Sequence, residues 1–86
     1  MLSKPREEIN QIDGELVKLL EKRYKAVDEV VRIKKELNQP TLDASREKEV
    51  IERLSNMIET TEYRESILAT FQSIMDISKD YQRKTK

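Results

Sequence analysis

The chain has 86 residues, with 17 Lys+Arg against 17 Asp+Glu, so its formal net charge is zero. Hydrophobic residues make up 36% and charged residues 40%, a thin apolar supply for a self-contained core, because small domains bury a smaller share of their surface. The absence of Cys and His removes disulfides, thiolates, the commonest general base and the commonest metal ligand, and so excludes Ser-His and Cys-His nucleophilic catalysis.

One domain, residues 1–86, is expected at this length. With one Gly and two Pro, turn residues are too few for an all-β fold. No apolar run approaches a membrane span, and the start of the chain has no apolar signal-peptide core. Balanced charge with little aromatic content argues against a nucleic-acid binder. The expectation is an all-α, cytoplasmic protein.

Three helices are expected, over about 5–37, 43–58 and 63–83, by apolar periodicity. The first opens near Pro5, with Ser3 as a candidate cap and Glu7 and Glu8 in the first turn. Its apolar positions are Ile9, Ile12, Leu16, Leu19, Leu20, Val27, Val30, Ile33 and Leu37, at three- and four-residue steps. Residues 38–42 form the loop, and Asp43 is the expected cap of the second helix. Val50, Ile51, Leu54, Met57 and Ile58 make the second stripe. Ile67, Leu68, Phe71, Ile74, Met75 and Tyr81 make the third. The basic end, Lys79, Arg83, Lys84 and Lys86, is expected to complement the helix dipole as a solvated tail.

The lengths are mismatched. The first helix is a rod of about 50 Å, and the others reach about 24 and 32 Å. Neither covers the first stripe alone, so a symmetric homodimer is expected.

Polar residues interrupt the stripes. Measured from Leu16 at about 100° per residue, Arg23 falls near −20° and Lys34 near 0°, on the apolar face. Glu21, Lys25, Asp28 and Arg32 fall on the opposite face, an ordinary solvated ladder. On the second helix Asp43 and Glu47 share the face of Leu54, with Arg46 on its shoulder. On the third, Ser78 and Gln82 share the face of Phe71. Charged groups on an apolar face need partners. They can snorkel, form an ion network that fixes helix register, or line a pocket between facing helices. A pocket of Arg23, Lys34, Asp43, Arg46, Glu47, Ser78 and Gln82 suits an anionic ligand with carboxylates. None of the seven is a good nucleophile, so any chemistry there rests on positioning and electrostatics. Arg6 lies about 25 Å along the rod from Arg23. It cannot reach its own chain's pocket, but it can reach that of an antiparallel partner.

At these residues the sequence resembles the all-helical (AroQ-type) chorismate mutases, from Arg6 to Gln82. The carriers are Arg6-Glu7-Glu8-Ile9-Asn10-Gln11-Ile12-Asp13, Leu19-Leu20-Glu21-Lys22-Arg23, Ile33-Lys34, Pro40 to Glu47 with its Asp-x-x-Arg-Glu pattern, and Phe71-Gln72-x5-Ser78-x3-Gln82. The resemblance implies an intertwined helical homodimer whose long first helices span both active sites. It implies the Claisen rearrangement of chorismate to prephenate, on the route to phenylalanine and tyrosine, with no cofactor or metal. By resemblance, Arg23 and the partner's Arg6 bind the substrate carboxylates. Lys34 helps with a carboxylate and, with Gln82, donates to the ether oxygen. Glu47, with the backbone near Asp43, holds the ring hydroxyl, and Arg46 and Ser78 complete the wall. Asp13 reads as solvated or salt-bridged, and Tyr81 as packing.

Two other readings stay open. One is an isochorismate-pyruvate lyase of the same fold, although Glu47 in the Asp43-x-x-Arg46-Glu47 pattern suits the mutases better. The other is a non-catalytic helical dimer acting as a regulatory module. With no second catalytic region legible, a monofunctional enzyme or an excised domain is expected.

Overall fold

A computed structural model describes residues 1–40 and 43–84. Thr41 and Leu42, read as loop, and Lys86, read as part of the basic tail, lie outside the described residues. Three helices follow in order: α1 over Ser3–Glu36, α2 over Ala44–Met57 and α3 over Arg64–Lys84, with a 3-10 turn at Thr61–Tyr63 before α3. The chain is all-α with a long first helix.

The start of α1 differs from expectation. Ser3 is already helical, Leu2 takes the cap position without a side-chain bond, and the first turn holds no acidic residue. Glu7 and Glu8 therefore lie beyond the orphan amides that a first-turn carboxylate would serve. Pro5 falls within the first turn, where its missing N–H costs nothing.

The end of α1 is built from backbone bonds. Asn38 adopts φ 57°, the left-handed conformation that Asn tolerates better than most residues. Its N–H donates to Lys35 O at 3.1 Å, and the Gln39 N–H donates to Lys34 O at 2.8 Å. This pair of bonds is a Schellman ending, and it turns the chain back toward α1 just past Lys34. Asp43 then caps α2 as expected, accepting from the Ser45 and Arg46 amides at 3.1 and 3.2 Å. At the other end of α2, Arg64 donates to the carbonyls of Ser55 and Ile58 and to the Ser55 hydroxyl. A cation is thus placed on orphan carbonyls at the negative end of the helix dipole.

Among the described residues, α3 packs against both α1 and α2, and α1 and α2 do not pack on each other. The core is small. Val31 and Met75 are the buried apolar side chains among the described residues, and Ser78 is the buried polar one. The chain measures 55 × 24 × 17 Å, its long dimension set by the rod of α1. Ile9, Ile12, Leu16, Val17 and Leu19 on that rod all stand roughly half exposed, at 49–58%. The apolar stripe is present, but α2 and α3 leave its N-terminal half bare.

Candidate active site

The gap between α1 and α2 is floored by α3, and it is where the polar exceptions meet. One cleft is lined by Arg23, Val27, Val30 and Lys34 of α1, by Asp43, Arg46, Glu47 and Val50 at the start of α2, and by Met75, Ser78, Lys79 and Gln82 of α3. All seven residues singled out on the helical faces within one chain are in this lining. Each helix contributes positions three and four apart, the spacing that puts side chains on one face. Arg6 is not in the lining, as its distance along the rod requires.

The cleft is electropositive, with four cations, Arg23, Lys34, Arg46 and Lys79, against two carboxylates, Asp43 and Glu47. Its walls between the charges are apolar: Val27, Val30, Val50 and Met75. Such a lining suits a small anion with an apolar body.

The carboxylates are held in different ways. Asp43 accepts from its α2 amides and from the Ser45 hydroxyl at 2.7 Å. The Ser45 bond, then the Arg46 amide, and more weakly the Lys34 charge across the cleft, lower its carboxyl from the usual value. Glu47 reaches instead toward α3, where Lys79 Nζ sits 3.2 Å from Oε2. Gln82 Nε2 donates to the buried Ser78 hydroxyl at 3.3 Å, which joins two neighbouring turns of α3.

Lys79 corrects the expectation of a solvated basic tail. Its side chain is 27% exposed and ion-paired with Glu47 and with Asp76, at 3.2 and 3.4 Å. The signal was available, because residues 75, 78, 79 and 82 are spaced as one helical face. A lysine near a C-terminus has an alternative explanation in the helix dipole, and that explanation masked the pattern. Arg83, by contrast, is exposed and paired locally with Asp80.

Asp28 also behaves differently from a ladder residue. Arg32 pairs with Glu29 and Glu36, whereas Asp28 accepts from the Tyr81 hydroxyl at 2.6 Å. That bond, with the burial around it, raises the Tyr81 hydroxyl from its usual value. Tyr24 meets the Tyr81 ring edge-on at 5.0 Å between centroids, a favoured aromatic geometry. Tyr81 is thus a packing residue, and its hydroxyl also pins α3 to α1 beside the cleft.

The family model for chorismate mutase type II matches residues 5–83. The chain belongs to that family. The chorismate mutase (form II) of Thermus thermophilus superposes with a TM-score of 0.88 at 28% identity, over 95% of this chain and 93% of that one. A bifunctional chorismate mutase/prephenate dehydratase of Buchnera aphidicola (subsp. Schizaphis graminum) is 46% identical over 52 residues, 60% of this chain. The match spans 14% of that longer relative. The fold class and family expected from the motifs are therefore those found. Among the described residues no helix is long and apolar enough to cross a membrane.

Proposed function

We propose that two copies of this chain form an intertwined homodimer that catalyses the Claisen [3,3] rearrangement of chorismate to prephenate in the cytoplasm. The observation that carries the reading is the convergence of seven motif residues from three helices on one electropositive cleft. The reaction is intramolecular. The ether C–O bond breaks, a C–C bond forms, and no group leaves or arrives. It asks for a clamp on the reactive conformer and for donors at the ether oxygen, which gains negative charge as the bond breaks.

Arg23 and the partner's Arg6 take the two carboxylates, with the bidentate geometry guanidinium favours. Lys34 supports a carboxylate and donates to the ether oxygen, and Gln82 donates to the same oxygen. Donors aimed at developing charge are worth roughly 3 kcal/mol each. Glu47, with the backbone near Asp43, accepts from the ring hydroxyl. Arg46 and Ser78 complete the wall. The bare half of α1 supports the dimer, since an antiparallel second rod would cover that stripe and carry its Arg6 to the cleft of the first chain.

The test is a product assay. Purified protein is incubated separately with chorismate and with isochorismate, and the products are read by NMR. Prephenate from chorismate is the expected result. Salicylate and pyruvate from isochorismate alone assign the chain to the lyase reaction, and no turnover of either by a folded dimer assigns the cleft to binding or regulation.

A further inference from the structure

The cleft holds one cation that the assigned roles leave unused. Lys79 lies one helical turn past Met75, one residue past the buried Ser78 and one turn before Gln82. From α3 it crosses to α2, where its Nζ meets Glu47 Oε2 at 3.2 Å. Behind it, Asp76 Oδ1 lies 3.4 Å from the same nitrogen, and Asp76 is itself fixed by the Gln72 side-chain amide at 3.1 Å.

This pair differs from the other ion pairs found in the chain. Arg32 with Glu29 or Glu36, and Arg83 with Asp80, are local pairs on one helix with side chains about 60% exposed, the kind that contributes little. Lys79 and Glu47 come from different helices, and their side chains are 27% and 24% exposed. Water and salt screen them less. The glutamate chain has several rotatable bonds, and tying one oxygen to α3 removes much of that freedom. The other oxygen, Oε1, can then face the cleft.

We propose that Lys79 is a positioning residue that works through Glu47, holding its carboxylate so that Oε1 is preset to accept the substrate's ring hydroxyl. The inference rests on the chorismate reading of the cleft. Asp76 explains why Lys79 does not simply join the carboxylate clamp. Flanked by two carboxylates, its charge is compensated from both sides, so it adds little pull on the substrate's own carboxylates. The bond to Glu47, and then that to Asp76, raise the ammonium group from its usual value, so Lys79 stays charged throughout the neutral range.

The experiment compares four proteins, wild type, Lys79→Met, Glu47→Gln and the double variant, with helicity and Tm checked by circular dichroism. Lys79→Met is expected to raise KM about tenfold and to move kcat by less than about twofold, the pattern of lost uniform binding. In the Glu47→Gln background the same change is expected to move KM by less than about twofold, because coupled residues are not additive. Lys79→Gln, polar but uncharged and one atom shorter, guards against a folding defect and follows Lys79→Met, and Lys79→Arg recovers most of the loss. An unchanged KM in Lys79→Met, or an equal rise in the Glu47→Gln background, overturns the inference. A folded wild type that leaves chorismate untouched overturns the reaction beneath it, so the two failures are distinguishable.

Discussion

The two halves of α1 are built from the same alternation of apolar and charged residues but meet different surroundings. The C-terminal half lies against α3, where Val31 is buried, Tyr24 meets Tyr81 edge-on, and Arg23 and Lys34 line the cleft. The N-terminal half carries Ile9, Ile12, Leu16 and Leu19 with comparable periodicity, and each is roughly half exposed. A stripe of that length left in water is costly, at about 25 cal/mol for each Å2 of apolar surface. Periodicity therefore specifies which face is apolar. The lengths of α2 and α3 decide how much of that face one chain can cover. The same split separates the two arginines assigned to carboxylates, with Arg23 in its own chain's cleft and Arg6 stranded on the bare half.

The largest expected effect lies in the covered half. Lys34→Ala should lower kcat by about 100- to 1,000-fold, the usual loss for a donor at developing charge, with the helical circular dichroism unchanged. An unaltered kcat would separate the cleft from the chemistry. In the bare half, Leu16→Asp should abolish the dimer at micromolar concentration in sedimentation, and with it the activity that needs the partner's Arg6, since a charge buried without a partner costs several kcal/mol. A Leu16→Asp protein that sediments as wild type would mean that the stripe is not the interface.

Smaller effects sharpen the contrast. The Asp43 carboxyl is lowered in the folded chain from its ordinary 3.8. Its contribution to stability is therefore complete above about pH 4 and lost as pH falls through the folded value. Asp43→Asn keeps a good cap but should flatten that part of the Tm-against-pH curve, and an identical acid limb would contradict the assigned bonds. Gly14 sits in α1 with open space around the position of an added Cβ. It lies about 160° from Leu16, away from the stripe. Gly14→Ala should raise stability by about 0.5–1 kcal/mol in urea melts, and a loss would mean that the partner also packs against this outer face.

Much of this was legible because helical periodicity is a local property. A polar group at an apolar angle is visible in one chain, and Arg23, Lys34, Asp43, Glu47, Ser78 and Gln82 could each be found that way. What was hidden depends on neighbours from other helices. Lys79 shares the face of residues 75, 78 and 82, but its Glu47 partner on α2 is invisible in α3 alone, and the helix dipole accounted for the charge. Asp28 looked like a rung of a solvated ladder because only α3 brings the Tyr81 hydroxyl to it. The start of α1 was misplaced by two residues because a helix can begin without a side-chain cap, as it does at Leu2, and its sequence signals are then weak.

The central claim is that a cleft built by one chain is completed by the bare half of another. Mixing two inactive proteins, Arg6→Ala and Arg23→Ala, tests it most directly, with subunit exchange verified by mass-tagged chains. In an Arg6→Ala/Arg23→Ala heterodimer, one site keeps both arginines and the other has neither. Random exchange should therefore restore about one quarter of the wild-type sites, as two-fold symmetry requires. Recovery of chorismate mutase activity toward that level is the predicted result. Complete exchange with no recovery would contradict the shared site.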